Sequence, residues 1–555
     1  MKNCSTWSSV LWPVLNDYDS STDDRLIARS LRKFYFLTIL LYFTISSICE
    51  VSSETEIYDV NLPTEHMAYY FTSHTNESEA CKKSENCPYK NLLDLKKCWG
   101  YEEDCSLSLR YSTPTCNKSS RGWAKSKEEQ TEMFFKQGDF GYIRERLDEL
   151  TEICTPKKKN GSFLECSKFM RFCRGKHIMF DFKTLTSLPE PMRYRDDVIR
   201  EGQVGGYCKV NKKTLKQQGQ HKSPLQSWYA EFEHLTELPK PLDSESCDIV
   251  INEPTFIMKL DATVNMYHHF CDFLNLYASL HMNQTFSTDL RILIWDTIPY
   301  FSNFEIVWKA FTHHPIMNLG SFKGKKVCFK DVVFPLLPRM IFGMYYNMPL
   351  IPGCQGSGLF QAFAEHLKHR LKVKDNYQDS KIRVTLISRS TQYRRILNED
   401  QLISSLKAIP DLIVRKINFN RQMAFSNQLE ISYNTDILIG IHGAGLTHML
   451  FMPKWGAVFE IFNCEDESCY ADLARLKGLE YFTWEKSDKI IPEDEGHHPT
   501  LGAHAKFTNY SFDIPEFLRI FKKALAHVRR FSPFHQKSNS CEGKKCNNSV
   551  VHNEL

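Results

Sequence analysis

Asp436-Ile437-Leu438-Ile439-Gly440-Ile441-His442-Gly443-Ala444-Gly445-Leu446-Thr447-His448 is the stretch from which the fold is read. An apolar, largely β-branched run enters a turn of small residues. The turn leads straight into the helical spacing of Leu446, Met449 and Leu450. A strand that feeds a helix through glycines leaves backbone N–H groups and the positive end of a helix dipole aimed at one spot, which suits an anion such as a diphosphate. Glycine serves there because a side chain would hold a ligand off the backbone. The pattern is neither the dinucleotide fingerprint G-x-G-x-x-G nor a P-loop, since no Lys-Ser/Thr follows the turn. Taken alone it fits an ordinary tight βα turn equally well, so its neighbours decide.

Outward from this turn, short β-rich runs recur at the spacing of βαβ units. One group covers residues 382–389, 412–419, 437–441, 457–462 and 480–484, and an earlier one covers 247–258, 291–295 and 327–335. Between them lie a Gly/Pro-rich loop (349–358), a helical pattern (359–371) and a polar hinge (374–381). Two consecutive α/β layers joined by a hinge predict an α/β protein with two doubly wound domains facing a cleft. The expected divisions are 1–49 (signal peptide or signal anchor), 50–245 (cysteine-rich, with a charged helix over 127–150), 246–375 and 376–531 (the two α/β domains, the second ending in a helix over 514–530), and 532–555 (polar tail).

The 555 residues exceed one core, and a net charge of +4 with 25% charged residues gives no footprint for nucleic acid. Residues 34–48 carry no charge and follow Arg25, Arg29, Arg32 and Lys33, but the run is short of the roughly 20 residues that span a bilayer. It reads as a signal-peptide core, with an uncleaved anchor as the alternative. The chain ends in His552-Asn553-Glu554-Leu555, close to the H-D-E-L and K-D-E-L signals that a retrieval receptor reads. Nineteen cysteines, including the close pairs Cys81/Cys87, Cys98/Cys105, Cys464/Cys469 and Cys541/Cys546, fit disulfides in an oxidising lumen better than zinc sites. Setting aside Cys4 and Cys49 leaves 17, so at least one thiol lacks an intramolecular partner. Sequons at Asn76, Asn117, Asn160, Asn283, Asn509 and Asn547 are candidate glycosylation sites. The expected compartment is the endoplasmic reticulum lumen.

Three arginines, Arg389, Arg394 and Arg395, follow the strand at 382–389, at the edge where open α/β sheets bind ligands. Arginine holds phosphate through bidentate, charge-assisted bonds, although a solvated basic loop has the same composition. With His442, Gly443, Ala444 and Gly445 they form the candidate anion site. Glu460, at the end of an apolar strand, suits ribose hydroxyls or a structural ion pair. On the helical pattern that begins at Asn265, the residues His268, Asp272, Asn275 and Ser279 form one narrow polar stripe facing water or a cleft. If it faces a cleft, His268 or Asp272 is a candidate general base. The luminal part offers no convincing metal-binding Asp-x-Asp, and no G-x-S-x-G elbow of a serine hydrolase.

Residues 264–277 (VNMYHHFCDFLNLY), 383–398 (RVTLISRSTQYRRILN) and 440–453 (GIHGAGLTHMLFMP), with 219–232 and 496–512, resemble the EGF-domain-specific O-linked N-acetylglucosamine transferases of the endoplasmic reticulum, in glycosyltransferase family 61. The resemblance implies two facing Rossmann-like domains (the GT-B type), with UDP-N-acetylglucosamine as donor. As acceptor it implies folded EGF-like domains, Notch-type receptors among them, and as chemistry an inverting single displacement. It places UDP on Arg389, Arg394, His442–Gly445 and Glu460, and turns the His268/Asp272 helix toward the acceptor. Vertebrate members carry Asp-Tyr-Asp where this chain has His313-His314-Pro315, so the metal ligands stay unassigned. No tightly bound cofactor is expected, and a divalent cation such as Mn²⁺ stays open, without support from this sequence. The alternatives are a related transferase that extends O-mannose glycans and a catalytically inactive luminal protein that binds glycans or clients.

Overall fold

Parallel strands that are buried on both faces need nearly continuous apolar runs, and such runs form the C-terminal sheet. In this computed structural model, strands β1 (Ile382–Ile387), β2 (Leu412–Ile417), β3 (Ile437–Gly440), β4 (Ala457–Glu460) and β5 (Glu480–Thr483) pair in the order β2-β1-β3-β4-β5. Every neighbouring pair is parallel. The structure describes residues 60–534 apart from 121, 187–197, 244, 298, 341, 346–348, 375–380, 462–468 and 501. The expected signal segment, most of the hinge, Asn547 and the terminal His552-Asn553-Glu554-Leu555 lie outside those residues.

The last helix, Ile514–Phe531, closes this core. Asp513 caps it by accepting the Glu516 N–H, and Pro515 sits in the first turn where no N–H is needed. Phe517, Ile520, Phe521, Ala524, Leu525 and Val528 follow helical spacing and pack with Ile437, Ile439 and Phe459.

Among the described residues the earlier strands belong to one mixed eleven-stranded sheet, apart from Thr115–Cys116 and Cys354–Gln355, which pair with each other. Its seam is Lys326–Phe334, parallel to Ile249–Ile251 and Thr255–Met258 but antiparallel to Cys173–Asp181 along its whole length. Thr151–Pro156, Phe163–Cys166 and Cys208–Val210 extend the sheet on the antiparallel side. The boundary expected at residues 245/246 therefore falls inside a continuous sheet. The runs of the expected first α/β unit do form a parallel series, Lys326–Phe334, Thr255–Met258, Arg291–Ile294 and Met317–Asn318 in that spatial order, and the antiparallel strands are added beyond Lys326–Phe334. The run at 247–258 divides at Glu253-Pro254, because proline has no N–H for a ladder.

The charged helix expected over 127–150 is two helices, Lys127–Gly138 and Phe140–Asp148, broken at Asp139. Asp139 is fully buried and caps Phe140. It also accepts the N–H groups of Gly358 (3.0 Å) and Leu359 (2.9 Å) at the start of helix Gly358–Arg370. Burial lifts its carboxyl to about 6 against the pull of Ser112 and these amides.

The pairs Cys81–Cys87 and Cys98–Cys105 form as expected, joined by Cys116–Cys354, Cys154–Cys208, Cys166–Cys173 and Cys247–Cys328. Cys271 is a free, buried thiol. The pairs Cys464/Cys469 and Cys541/Cys546 fall outside the described side chains.

Among the sequons, Asn76, Asn117 and Asn160 are exposed, and Asn283 is half-buried with its amide on Thr285 Oγ1. Asn509 corrects the expectation: it is 4% exposed, its oxygen accepts the Arg395 N–H at 3.0 Å, and its amide donates to Glu493 at 2.7 Å. Glycopeptide mapping of the folded chain, made in a glycosylating host, should find Asn509 unmodified, with glycans confined to exposed sequons.

Four buried histidines add a pH term. Burial pushes His269 down to about 3 and His448 to about 4, and holds His281 and His366 well below their ordinary value. The unfolded chain therefore binds protons below about pH 6.5 that the folded chain refuses, so stability falls as the pH falls, by roughly 2 kcal/mol at pH 5 for each of His269 and His448. Asp139 and Asp272, both raised by burial, act in the opposite sense but are fewer. Thermal melts should show a lower Tm at pH 5 than at pH 7.

Candidate functional site

The order β2-β1-β3-β4-β5 reverses direction between β1 and β3, and ligands of such sheets bind at the carboxyl ends beside that reversal. The loop after β1 carries Arg389 and Arg394, and β3 runs into His442-Gly443-Ala444-Gly445. Both guanidinium groups donate to the His442 carbonyl, Arg389 Nη1 at 3.0 Å and Arg394 Nη1 at 3.3 Å. Neither pairs with a carboxylate among the described residues. Burial, and then the charge of Arg394, pull Arg389 down to about 10. The cations are thus held together without a counter-charge, which an incoming anion would supply.

Gly443 has φ 152° and ψ 170°, a conformation essentially reserved for glycine. A Cβ there would lie 2.8 Å from Arg389 Nη1. The helix it opens, Ala444–Phe451, is of the 3₁₀ type, and no side chain caps its first turn. First-turn amides have no partner within a helix, so this end is suited to an anion.

Arg394 is in the left-handed region (φ 59°), and its loop is pinned to the segment before the last helix. Its N–H donates to Thr508 O at 2.8 Å, and Leu397 N–H and Tyr510 N–H bond across to Tyr510 O and Arg395 O. The Arg395 side chain is exposed, so two of the three expected arginines converge and the third does not.

Glu460 is 4% exposed, and both of its oxygens are engaged. His442 Nδ1 lies 2.6 Å from Oε1, and the Tyr481 hydroxyl donates to Oε2 at 2.6 Å. Of the two expected readings this is the structural pair, in which the carboxylate orients the His442 imidazole. The register that places Glu460 opposite Gly440 fixes that contact.

Helix α1 (Met266–Asn283) carries the other candidates. Its polar stripe faces neither water nor a cleft beyond His268. Asp272, Asn275 and Ser279 are 1% exposed or less. They bond to backbone instead: Asp272 accepts the Asp261 N–H, Asn275 donates to Leu337 O, and Ser279 Oγ accepts the Leu336 N–H. Asp272 also lies 2.9 Å from His269 Nδ1, and His269 Nε2 lies 2.6 Å from the Tyr300 hydroxyl. Burial, reinforced by Asp261, holds the Asp272 carboxyl well above its ordinary value. His268 is partly exposed, with Nδ1 2.9 Å from Asp261 Oδ2, which Arg339 Nε also contacts at 2.6 Å. These bonds outweigh burial and hold Asp261 below the usual carboxylate range.

A cavity of about 370 Å³ lies at the reversal, lined by Arg389, Gly443, Ala444 and Gly445, with Val264 and Met266 from the start of α1. Its wall also includes Asn418, Phe419, Asn420 and Arg421, which the sequence reading overlooked. They follow β2 on the same edge, so asking which loops share that edge would have found them. His448 stacks on Phe419 at 3.9 Å and bonds to Gln428. Among the described residues no carboxylate lines the cavity. His268 is not among the lining residues. It is one residue from Tyr267, whose ring meets Tyr470, and Tyr470 in turn meets His442.

The description Glycosyltransferase 61 matches residues 266–459, from the start of α1 into β4. The chain is 47% identical over 486 residues to the EGF domain-specific O-linked N-acetylglucosamine transferase of Mus musculus, covering 86% of this chain and 92% of that one. The protein of the same name in Gallus gallus is 49% identical over 494 residues (86% and 92%). The one in Drosophila melanogaster is 48% identical over 496 residues (88% and 95%). At this identity along nearly the whole of each relative, the chain belongs to the family of EGF domain-specific O-linked N-acetylglucosamine transferases.

Proposed function

We propose that this chain transfers one N-acetylglucosamine from UDP-N-acetylglucosamine, in β-linkage, to a Ser or Thr hydroxyl of a folded EGF-like domain. The observation that carries the reading is the pair Arg389 and Arg394, without a carboxylate partner, beside the uncapped turn at Gly443–Gly445. Family membership supplies the sugar and the acceptor class. In this reading the five-stranded sheet is the donor half of a GT-B type arrangement, and α1 belongs to the acceptor half. The nucleoside lies along residues 418–421, and exposed Val264 and Phe301 contact the acceptor.

The reaction is a single displacement with inversion. The acceptor oxygen attacks the anomeric carbon as its proton passes to a base, and the bond to UDP breaks with its electron pair leaving on the diphosphate. That charge meets the two guanidinium groups and the first-turn amides, preorganised donors of the kind that contribute most to such barriers. His268, held by Asp261, is the proposed base; the burial of Asp272 favours a positioning role for it. No tightly bound cofactor enters the scheme, since the charge is met by arginine. Six disulfides fit an endoplasmic reticulum lumen. There Notch-type receptors would be clients, and a KDEL-type receptor would read the C-terminus.

Arg389→Ala should lower kcat about 10²–10³-fold with Tm retained; unimpaired turnover removes Arg389 from the site. Isothermal titration of His268→Ala should show UDP binding intact while transfer is lost, and an active variant would reassign the base. The whole reading is tested by mass spectrometry of a folded EGF domain incubated with the chain and UDP-N-acetylglucosamine. One added sugar, absent from the reduced domain, is expected. No addition under any condition would leave the inactive binder.

A further inference from the structure

At the opposite, amino edge of the parallel strands Arg291–Ile294 and Met317–Asn318, two chain segments bring Asp289, His313 and His314 together. Asp289 Oδ1 lies 2.7 Å from His314 Nε2 and 3.6 Å from His313 Nε2, and one ligand atom of each residue falls within 4.8 Å of the others. Bonds of about 2.0–2.2 Å in a tetrahedral site put ligand atoms about 3.3 Å apart. The cluster needs only small side-chain shifts to reach that geometry. We propose that these three residues bind one Zn²⁺, with water completing its coordination.

The backbone beneath them is already fixed. His313 N–H donates to Thr288 O at 3.1 Å, His314 N–H to Thr312 Oγ1 at 3.0 Å, and the Thr312 hydroxyl to Leu290 O at 2.5 Å. His313 Nδ1 lies 3.5 Å from Thr288 Oγ1, a contact that keeps Nε2 as the metal-facing nitrogen. Charge points the same way. Among the described residues only the two imidazoles come within ion-pair distance of Asp289, and neighbouring Arg291 is committed bidentately to Glu253 at 3.1 and 3.0 Å. Two imidazoles and one carboxylate suit Zn²⁺, and Cu²⁺ or Ni²⁺ after it, better than Mn²⁺, Mg²⁺ or Ca²⁺. Both histidines and the aspartate retain exposure for a water ligand. The ion would fasten residues 288–290 to 312–314 and so hold the two-residue edge strand Met317–Asn318. Asn303 and Phe304, which line the cavity, follow the carboxyl end of Arg291–Ile294, so the metal is a clip remote from sugar transfer.

The test is Zn²⁺ competition against a chromophoric chelator, with thermal melts, on the full-length chain purified without a polyhistidine tag. Wild type should bind one equivalent and gain about 2 °C or more in Tm at saturation. Asp289→Asn and His313→Ala/His314→Ala should each lose both effects while transferring sugar at the wild-type rate. Co²⁺ in place of Zn²⁺ should give a visible d–d band only in wild type. Equal binding and equal Tm shifts in all three proteins would assign the zinc to other histidines among the 20 in the chain and overturn the proposal, as would no binding in wild type.

Discussion

Two guanidinium groups that share one carbonyl oxygen repel each other, and the site is built around holding that arrangement still. The oxygen belongs to His442. Its imidazole is anchored by Glu460 from β4, and Glu460 is held in turn by Tyr481 from β5. Three adjacent strands therefore converge to aim one peptide group. Gly443 follows at once with a backbone that admits no side chain, which lets Arg389 approach. Burial first, and then the charge of Arg394, lower the proton affinity of Arg389. A ligand carrying two negative charges relieves the repulsion better than one carrying a single charge.

Helix α1 answers to a different constraint. Its polar residues lie along a face that packs against loops rather than sheet, and loops bring backbone groups that need partners. Asp272, Asn275 and Ser279 satisfy groups of residues 261, 337 and 336. A fully apolar face would leave those groups unbonded, at about 1–3 kcal/mol each. The first turn escapes this duty, and there His268 retains a partly exposed ring.

Most of the second sheet was legible because its strands are short apolar runs with turns at regular intervals, a signal local to each strand. Residues 382–389, 412–419 and 437–441 were each read within two residues of their observed ends. The first sheet was legible only in part. The pairing of Lys326–Phe334 with Cys173–Asp181 joins segments far apart in sequence, and no local pattern encodes register across that distance. Cys81–Cys87 and Cys98–Cys105 followed from close spacing, whereas Cys166–Cys173, equally close, and Cys116–Cys354 did not. Within the site, Arg389, Arg394 and Gly443 could be found because strand ends concentrate ligand chemistry. Asn509 was misread because a sequence reports a polar side chain without reporting that neighbours already occupy it.

The seam at Lys326–Phe334 bears on how this enzyme family can be taken apart. Trimming the cysteine-rich third would strip that strand of a neighbour, bare a row of backbone hydrogen-bonding groups to other chains, and leave Cys354 without its mate. Chimaeras that graft one relative's amino-terminal third onto another's catalytic portion would cut through a shared ladder. Swaps made at the break between the two sheets would instead exchange whole hydrogen-bonded units.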